Sequence, residues 1–276
     1  MKKLLVIGIG AGDPDYLTLQ AVKAIGRADV FLVLDKGEEK SDLVRLRQDM
    51  LARYARPGHR VVQAADPDRD RAAAPAAYAA AVSDWRARRA DLYQAFVRDE
   101  VPADGTGALL VWGDPSLYDS TIAAVDEVLA RAGSDTGSRQ DTESRQDAAS
   151  GQHFEYSVVP GISCVSALTA AHRIPLNRVG RPVTVTTGRR LAATAAADVP
   201  DDVAVMLDAH DAFAGLAEPE AFTIYWGAYV GTPDELLLSG PVAEIAPTIQ
   251  RVRAEARARK GWIMDTYLLR RVDAAN

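Results

Sequence analysis

Short apolar runs alternate with longer stretches of helical periodicity over most of the chain, and that alternation leaves few folds open. A strand covered on both faces reads as an unbroken apolar run, and parallel neighbours need a crossover that is usually a helix. The pattern therefore predicts an α/β protein whose N-terminal sheet is parallel, with helices on both faces. Strands are expected at 3–8, 30–34, 60–63, 108–112 and 156–159, and helices at 15–27, 42–54, 72–97, 118–131 and 163–173.

Beyond Ile174-Pro175-Leu176 the rhythm changes. Strands at 183–187, 203–207, 222–226, 236–239 and 262–269 follow one another with a single helix, 247–260, among them. Less helix between strands predicts a smaller second lobe with a mixed sheet. The boundary is expected at 174/175, giving lobes 1–174 and 175–276. Within the first, 133–152 is polar, lacks large apolar residues and repeats Ser-Arg-Gln-Asp at 138–141 and 144–147. Such a segment cannot bury enough surface to offset its ordering entropy, so a disordered insertion is expected there.

The corner after the first strand, Gly8-Ile9-Gly10-Ala11-Gly12-Asp13-Pro14, invites a dinucleotide reading. In that motif a third glycine would stand at position 13, and pyrophosphate would sit on free N–H groups of the helix start. Position 13 is an aspartate instead. Asp13-Pro14 reads as an N-cap followed by proline at the first helical position, which occupies those donors with a carboxylate. The corner still lets a ligand approach the backbone, and a cofactor without phosphate suits it. Gly113-Asp114-Pro115-Ser116-Leu117-Tyr118 repeats the design after the fourth strand, and Val159-Pro160-Gly161-Ile162-Ser163 adds a third corner. In a parallel sheet all three lie on the carboxyl edge, where open α/β sheets bind ligands.

Composition excludes several classes. A net charge of −6 and a pI near 5.3 lack the basic excess of a general nucleic-acid binder. The basic residues are mostly arginine, suited to gripping carboxylates. Cys164 has no second cysteine to pair with, and His59, His153, His172 and His210 fall in no metal-ligand spacing, so no metal is expected. The opening Met1-Lys2-Lys3 and its apolar run are cut by Gly8 and Gly10, too short to export or to span, so a cytoplasmic protein away from membranes is expected.

The three corners in this order resemble those of the tetrapyrrole methylases, and the likeness runs from about Lys3 to the last strand. Ala28-Asp29-Val30-Phe31, Arg173-Ile174-Pro175-Leu176 and Gly231-Thr232-Pro233-Asp234-Glu235 also fit. The polar insertion before His153 departs from the usual pattern. The resemblance implies a two-lobed fold, Rossmann-like in 1–174, with 175–276 completing a cleft for S-adenosylmethionine. It also implies that Ala11, Gly12, Gly113, Asp114, Leu117, Ser163, Cys164, Met206 and Gly231 hold that cofactor, largely through backbone. Three further segments, 35–40, 68–71 and 224–229, are similar to a branch that methylates ring carbon 1 of precorrin-5 and removes an acetyl group as acetate. A homodimer acting on a small tetrapyrrole is the implied assembly.

An in-line methyl transfer from a sulfonium asks mainly for proximity and orientation. Acetyl loss needs water added to a carbonyl and a carbon–carbon bond broken, which calls for a base and oxyanion donors. Asp35, at the end of the second strand, is the candidate base, with Tyr118 beside it in the catalytic set. Arg69, Arg71, Tyr225 and Trp226 are candidates for binding the macrocycle through its carboxylates and its face. Competing readings are a sibling methylase acting on another ring position, a diphthamide-forming methylase, a nicotinamide-dependent oxidoreductase with Asp35 on a ribose, and a non-catalytic nucleotide sensor.

Overall fold

The computed structural model describes residues 1–35, 41–68, 78–137 and 154–273. The chain forms two compact units, residues 1–10 with 14–161 and residues 11–13 with 162–276.

In the first unit, strands β1 (Lys2–Gly8), β2 (Val30–Asp35), β3 (Arg60–Ala65), β4 (Thr106–Val111) and β5 (Phe154–Val159) form one sheet of order β3-β2-β4-β1-β5. Every pairing is parallel. Because side chains alternate along a strand, β4 sends Leu109 and Val111 to one face and Ala108 and Leu110 to the other. On the first face they meet Tyr93 of α3 (Tyr78–Ala95) and Val125 and Val128 of α4 (Thr121–Gly137). On the second they meet Ala21, Ala24 and Ile25 of α1 (Leu19–Ile25) and Met50 and Leu51 of α2 (Ser41–Tyr54). Helices thus cover both faces, as the unbroken apolar runs require.

Local starts and stops differ from the expectations at several places. The expected first helix is split: a 3-10 turn, Pro14–Tyr16, opens directly after Asp13 and is closed by Leu17 N–H on the Pro14 carbonyl, and α1 begins only at Leu19, where Thr18 caps it by accepting Ala21 N–H at 3.0 Å. The helix expected from 118 begins at Thr121, because Tyr118 has φ 51°, a left-handed conformation that no α-helix continues. Its other end reaches Gly137, so 133–137 is helical; the rest of the expected insertion, 138–152, lies outside the described residues.

In the second unit, β6 (Thr184–Thr187), β7 (Asp202–Met206), β8 (Phe222–Ala228), β9 (Leu236–Pro241) and β10 (Asp265–Arg271) form a sheet of order β6-β7-β10-β8-β9. Only β6 and β7 run parallel, so the sheet is mixed. It carries α5 (Cys164–His172), α6 (Gly188–Ala192) and α7 (Val242–Lys260). Helix α5 groups with this unit although it precedes residue 174. Buried ions inside the unit are paired: Asp202 takes Arg178 and Arg270 at 3.0 and 2.9 Å, and Asp265 takes Arg253 at 2.9 Å.

Candidate active site

Strands β4, β1 and β5 are adjacent, so their carboxyl ends emerge side by side. Gly113 N–H donates to the Gly10 carbonyl at 2.8 Å and Gly10 N–H returns to Gly113 at 3.3 Å. A Cβ on Gly161 would stand 2.1 Å from the Gly113 carbonyl oxygen, and one on Gly8 would stand 2.6 Å from the Gly161 nitrogen. Glycine here is a packing requirement: three backbones touch where any side chain would wedge them apart. Asp114 fastens the assembly, Oδ2 accepting Gly161 N–H at 2.9 Å and Oδ1 accepting Ser116 N–H at 2.7 Å. Burial pushes this carboxyl upward, yet the hydrogen bonds from Ser116 and Gly161 outweigh it and hold Asp114 below the usual carboxylate range. Leu117 closes the turn on the Asp114 carbonyl at 3.1 Å. Tyr118 beyond it is 47% exposed, and Asp35 is exposed at the end of β2.

The second unit holds the remaining predicted contacts in two groups. In one, Gly12 (φ 146°) lies against the 230–232 backbone: its Cβ would meet the Val230 carbonyl at 3.1 Å and the Gly231 carbonyl carbon at 3.3 Å. Ala11 is buried, and the Gly231 N–H is engaged by Glu235 Oε2 at 2.8 Å. In the other group, Ser163 caps α5 by accepting Ser166 N–H at 3.1 Å, and the neighbouring Cys164 thiol hydrogen-bonds Thr266. Thr266 sits opposite Met206 across the β7–β10 ladder. Burial pushes the Cys164 thiol up to about 11, so it is a neutral thiol near pH 7.

Of the macrocycle candidates, Arg69 and Arg71 lie outside the described residues. Tyr225 is half-buried between the His172 ring, at 5.6 Å and edge-on, and the Arg270 guanidinium. Trp226 departs from expectation. It is fully buried, its indole N–H donates to Asp265 Oδ2 at 3.0 Å, and its carbonyl takes the His172 Nε2 proton at 3.0 Å. It is a core residue. Among the described residues no group of His, Cys, Asp or Glu is placed to hold a metal ion.

Sequence reasoning missed a polar cavity of about 70 Å³ in the first unit, lined by Arg47, Arg89, Tyr93, Trp112, Asp119 and Thr121 over the ends of β2 and β4. It exists because β2 and β4 pair only from Val30 to Leu32 and then part. Arg47 reaches into the gap, Nε donating to the Leu110 carbonyl at 3.3 Å and Nη1 to Leu43 at 2.9 Å. The available signal was an arginine on the apolar stripe of α2, four residues after Leu43 and three before Met50.

A parallel sheet with glycine-lined strand ends and a mixed second sheet define an α/β protein of the class in which the carboxyl edge of the parallel sheet is where ligands bind. The chain belongs to the Tetrapyrrole (Corrin/Porphyrin) Methylases, whose family model matches residues 3–136 and 141–246, and is therefore a methyltransferase. A precorrin-6A synthase (deacetylating) from Sinorhizobium sp is 46% identical over 272 residues, which cover 98% of this chain and 96% of that protein. The crystal structure of a cobalamin synthesis related protein (CobF) from Corynebacterium diphtheriae superposes with a TM-score of 0.79 at 37% identity, covering 99% of this chain and 100% of the other. The uroporphyrin-III C-methyltransferase of Thermus thermophilus, solved with S-adenosyl homocysteine, shares the fold at TM-score 0.55 and 18% identity, over 97% and 92% of the two chains.

Proposed function

We propose that the chain is a precorrin-6A synthase: it transfers a methyl group from S-adenosylmethionine to ring carbon 1 of precorrin-5 and releases the ring's acetyl group as acetate. The observation that carries this reading is end-to-end similarity to a deacetylating relative, with 98% of one chain and 96% of the other matched. The glycine corners support it physically. Gly113 (φ 70°), Gly12 (φ 146°) and Gly231 (φ 78°) keep side chains off these corners, and Asp114 places a carboxylate where a diphosphate would be repelled. These residues fit an uncharged adenosine bearing a sulfonium.

When bound, that cofactor supplies an activated methyl group. The chain's own part is to orient it, and the residues proposed for this are Ala11, Gly12, Gly113, Asp114, Leu117, Ser163, Cys164, Met206 and Gly231, which offer mainly backbone and small side chains. Proximity alone accounts for much of such a transfer. A cytoplasmic homodimer belongs to the same reading; no described helix is long and apolar enough to cross a membrane.

Calorimetric titration tests the cofactor class. S-adenosylhomocysteine should bind with a Kd in the micromolar range while NADH gives no heat. Binding of NADH alone would move the chain to the oxidoreductases.

A further inference from the structure

The cavity between β2 and β4 is absorbed by none of the foregoing, and it stands where ligands bind. From β2 the chain turns one way to β3, and from β4 it turns the other way to β5, so the gap between them is the topological switch point of the sheet. Its polar groups divide into engaged and available. Arg89 is held bidentately by Asp66 at 2.7 Å on both arms. Arg47 gives two donors to carbonyls, and among the described residues no carboxylate stands within ion-pair distance of it. The Trp112 indole N–H is buried and has no hydrogen-bond partner. Asp119 places Oδ1 on Thr121 N–H at 2.6 Å, which anchors its carboxylate on the rim. Burial pushes Arg47 down to about 10, with the Asp119 carboxylate offsetting part of that shift and the Arg89 guanidinium adding to it.

A half-buried cationic donor, an indole N–H without a partner and a fixed carboxylate around one small space are the equipment for adding water to a carbonyl. A volume of about 70 Å³ holds several waters, or an acetyl group with one water. We infer that this cavity is the deacetylation subsite: Arg47 and Trp112 hold the carbonyl oxygen of the departing acetyl group, and Asp119 takes the proton of the attacking water. This rests on the function proposed above. The water oxygen bonds to the acetyl carbon, its proton passes to Asp119, and the carbonyl pair moves onto the oxygen facing Arg47 and Trp112. When that pair returns, the carbon–carbon bond to the ring breaks and its electrons stay on the macrocycle, which delivers them to the carbon that takes the methyl. Acetate leaves, and the second proton of the water is lost to solvent. Exposed Asp35 is not needed as the base.

The test uses the full chain with precorrin-5, methyl-labelled S-adenosylmethionine and, separately, carbon-13 acetate. In Asp119→Asn, asparagine still accepts the Thr121 N–H, so the fold is kept. Acetate release should fall about 100-fold or more while acetate itself still binds, seen as broadening of its NMR signal. In Arg47→Gln both release and acetate broadening should be lost. Arg47→Lys, which keeps the charge, should restore part of each. Near-UV circular dichroism and S-adenosylhomocysteine affinity should match wild type, which a merely structural role would not leave unmoved. Wild-type acetate release in Asp119→Asn, or undiminished acetate broadening in Arg47→Gln, would overturn the subsite alone. A wild-type protein that forms neither acetate nor S-adenosylhomocysteine from precorrin-5 overturns the function and the subsite together.

Discussion

Asp114 Oδ2 accepts the backbone N–H of Gly161 at 2.9 Å, joining two strand exits that lie forty-seven residues apart in sequence. Together with the mutual hydrogen bonds of Gly10 and Gly113, this bond holds three corners at one edge of the first sheet. Asp114→Ala should therefore cost about 1–2 kcal/mol at neutral pH, the lower part of the range for charge-assisted bonds because the carboxylate is partly solvated. The sign of the pH dependence follows from its direction of shift. The folded carboxyl sits below its ordinary value of 3.8, so its contribution is present above the unfolded value and lost as pH falls through the folded one. Urea unfolding of wild type and variant should show a constant gap above about pH 5 that closes in acid.

Gly161→Ala tests the contact itself. Its Cβ would meet a carbonyl oxygen at 2.1 Å, a backbone atom that cannot swing away, so stability should drop by about 3 kcal/mol or more, with loss of S-adenosylhomocysteine binding. Gly215→Ala, which meets nothing within 4 Å, should leave the unfolding midpoint within error.

Trp226 and Asp265 define a different sensitivity. Asp265 takes both Arg253 and the Trp226 indole, all of them buried. Asp265→Ala would strand a buried guanidinium and should destabilise by about 3–5 kcal/mol. Trp226→Phe should lower the urea midpoint by less. A larger effect on the KM for the tetrapyrrole than on the midpoint would return Trp226 to the substrate site.

Much of this was readable from the chain. Strands buried on both faces announce themselves as unbroken apolar runs, so β1, β2, β4 and β5 fell within two residues of their expected places, and the glycines marked where backbones must touch. Trp226 was readable too: along β8 the buried residues Phe222, Ile224, Trp226 and Ala228 recur with period two, while Thr223 and Tyr225 face the other way. The start of α1 was not, because Asp13-Pro14 and Thr18 both carry cap signals and only backbone geometry chooses between them. Nor was the Arg47 cavity, which depends on where β2 and β4 stop pairing; register between strands seventy-seven residues apart leaves no local mark, as the bond from Thr106 N–H to Asp29 at that separation illustrates.

Cys164 should be slow toward alkylating reagents. With its thiol raised to about 11, the thiolate fraction at pH 8 is roughly 100-fold or more below that of a free cysteine near 8.5. Iodoacetamide labelling followed by mass spectrometry should remain slow until the pH approaches 11; rapid labelling at pH 8 would mean the site is open and solvated.

In the proposed reaction one active site couples methyl transfer to loss of acetate. The most direct measurement is a single-turnover reaction of precorrin-5 with carbon-13 methyl S-adenosylmethionine, in which the tetrapyrrole product and free acetate are quantified together by NMR. The expected result is one labelled methyl on ring carbon 1 and one equivalent of acetate. Label on another ring carbon, or a methylated product that keeps its acetyl group, would contradict the account.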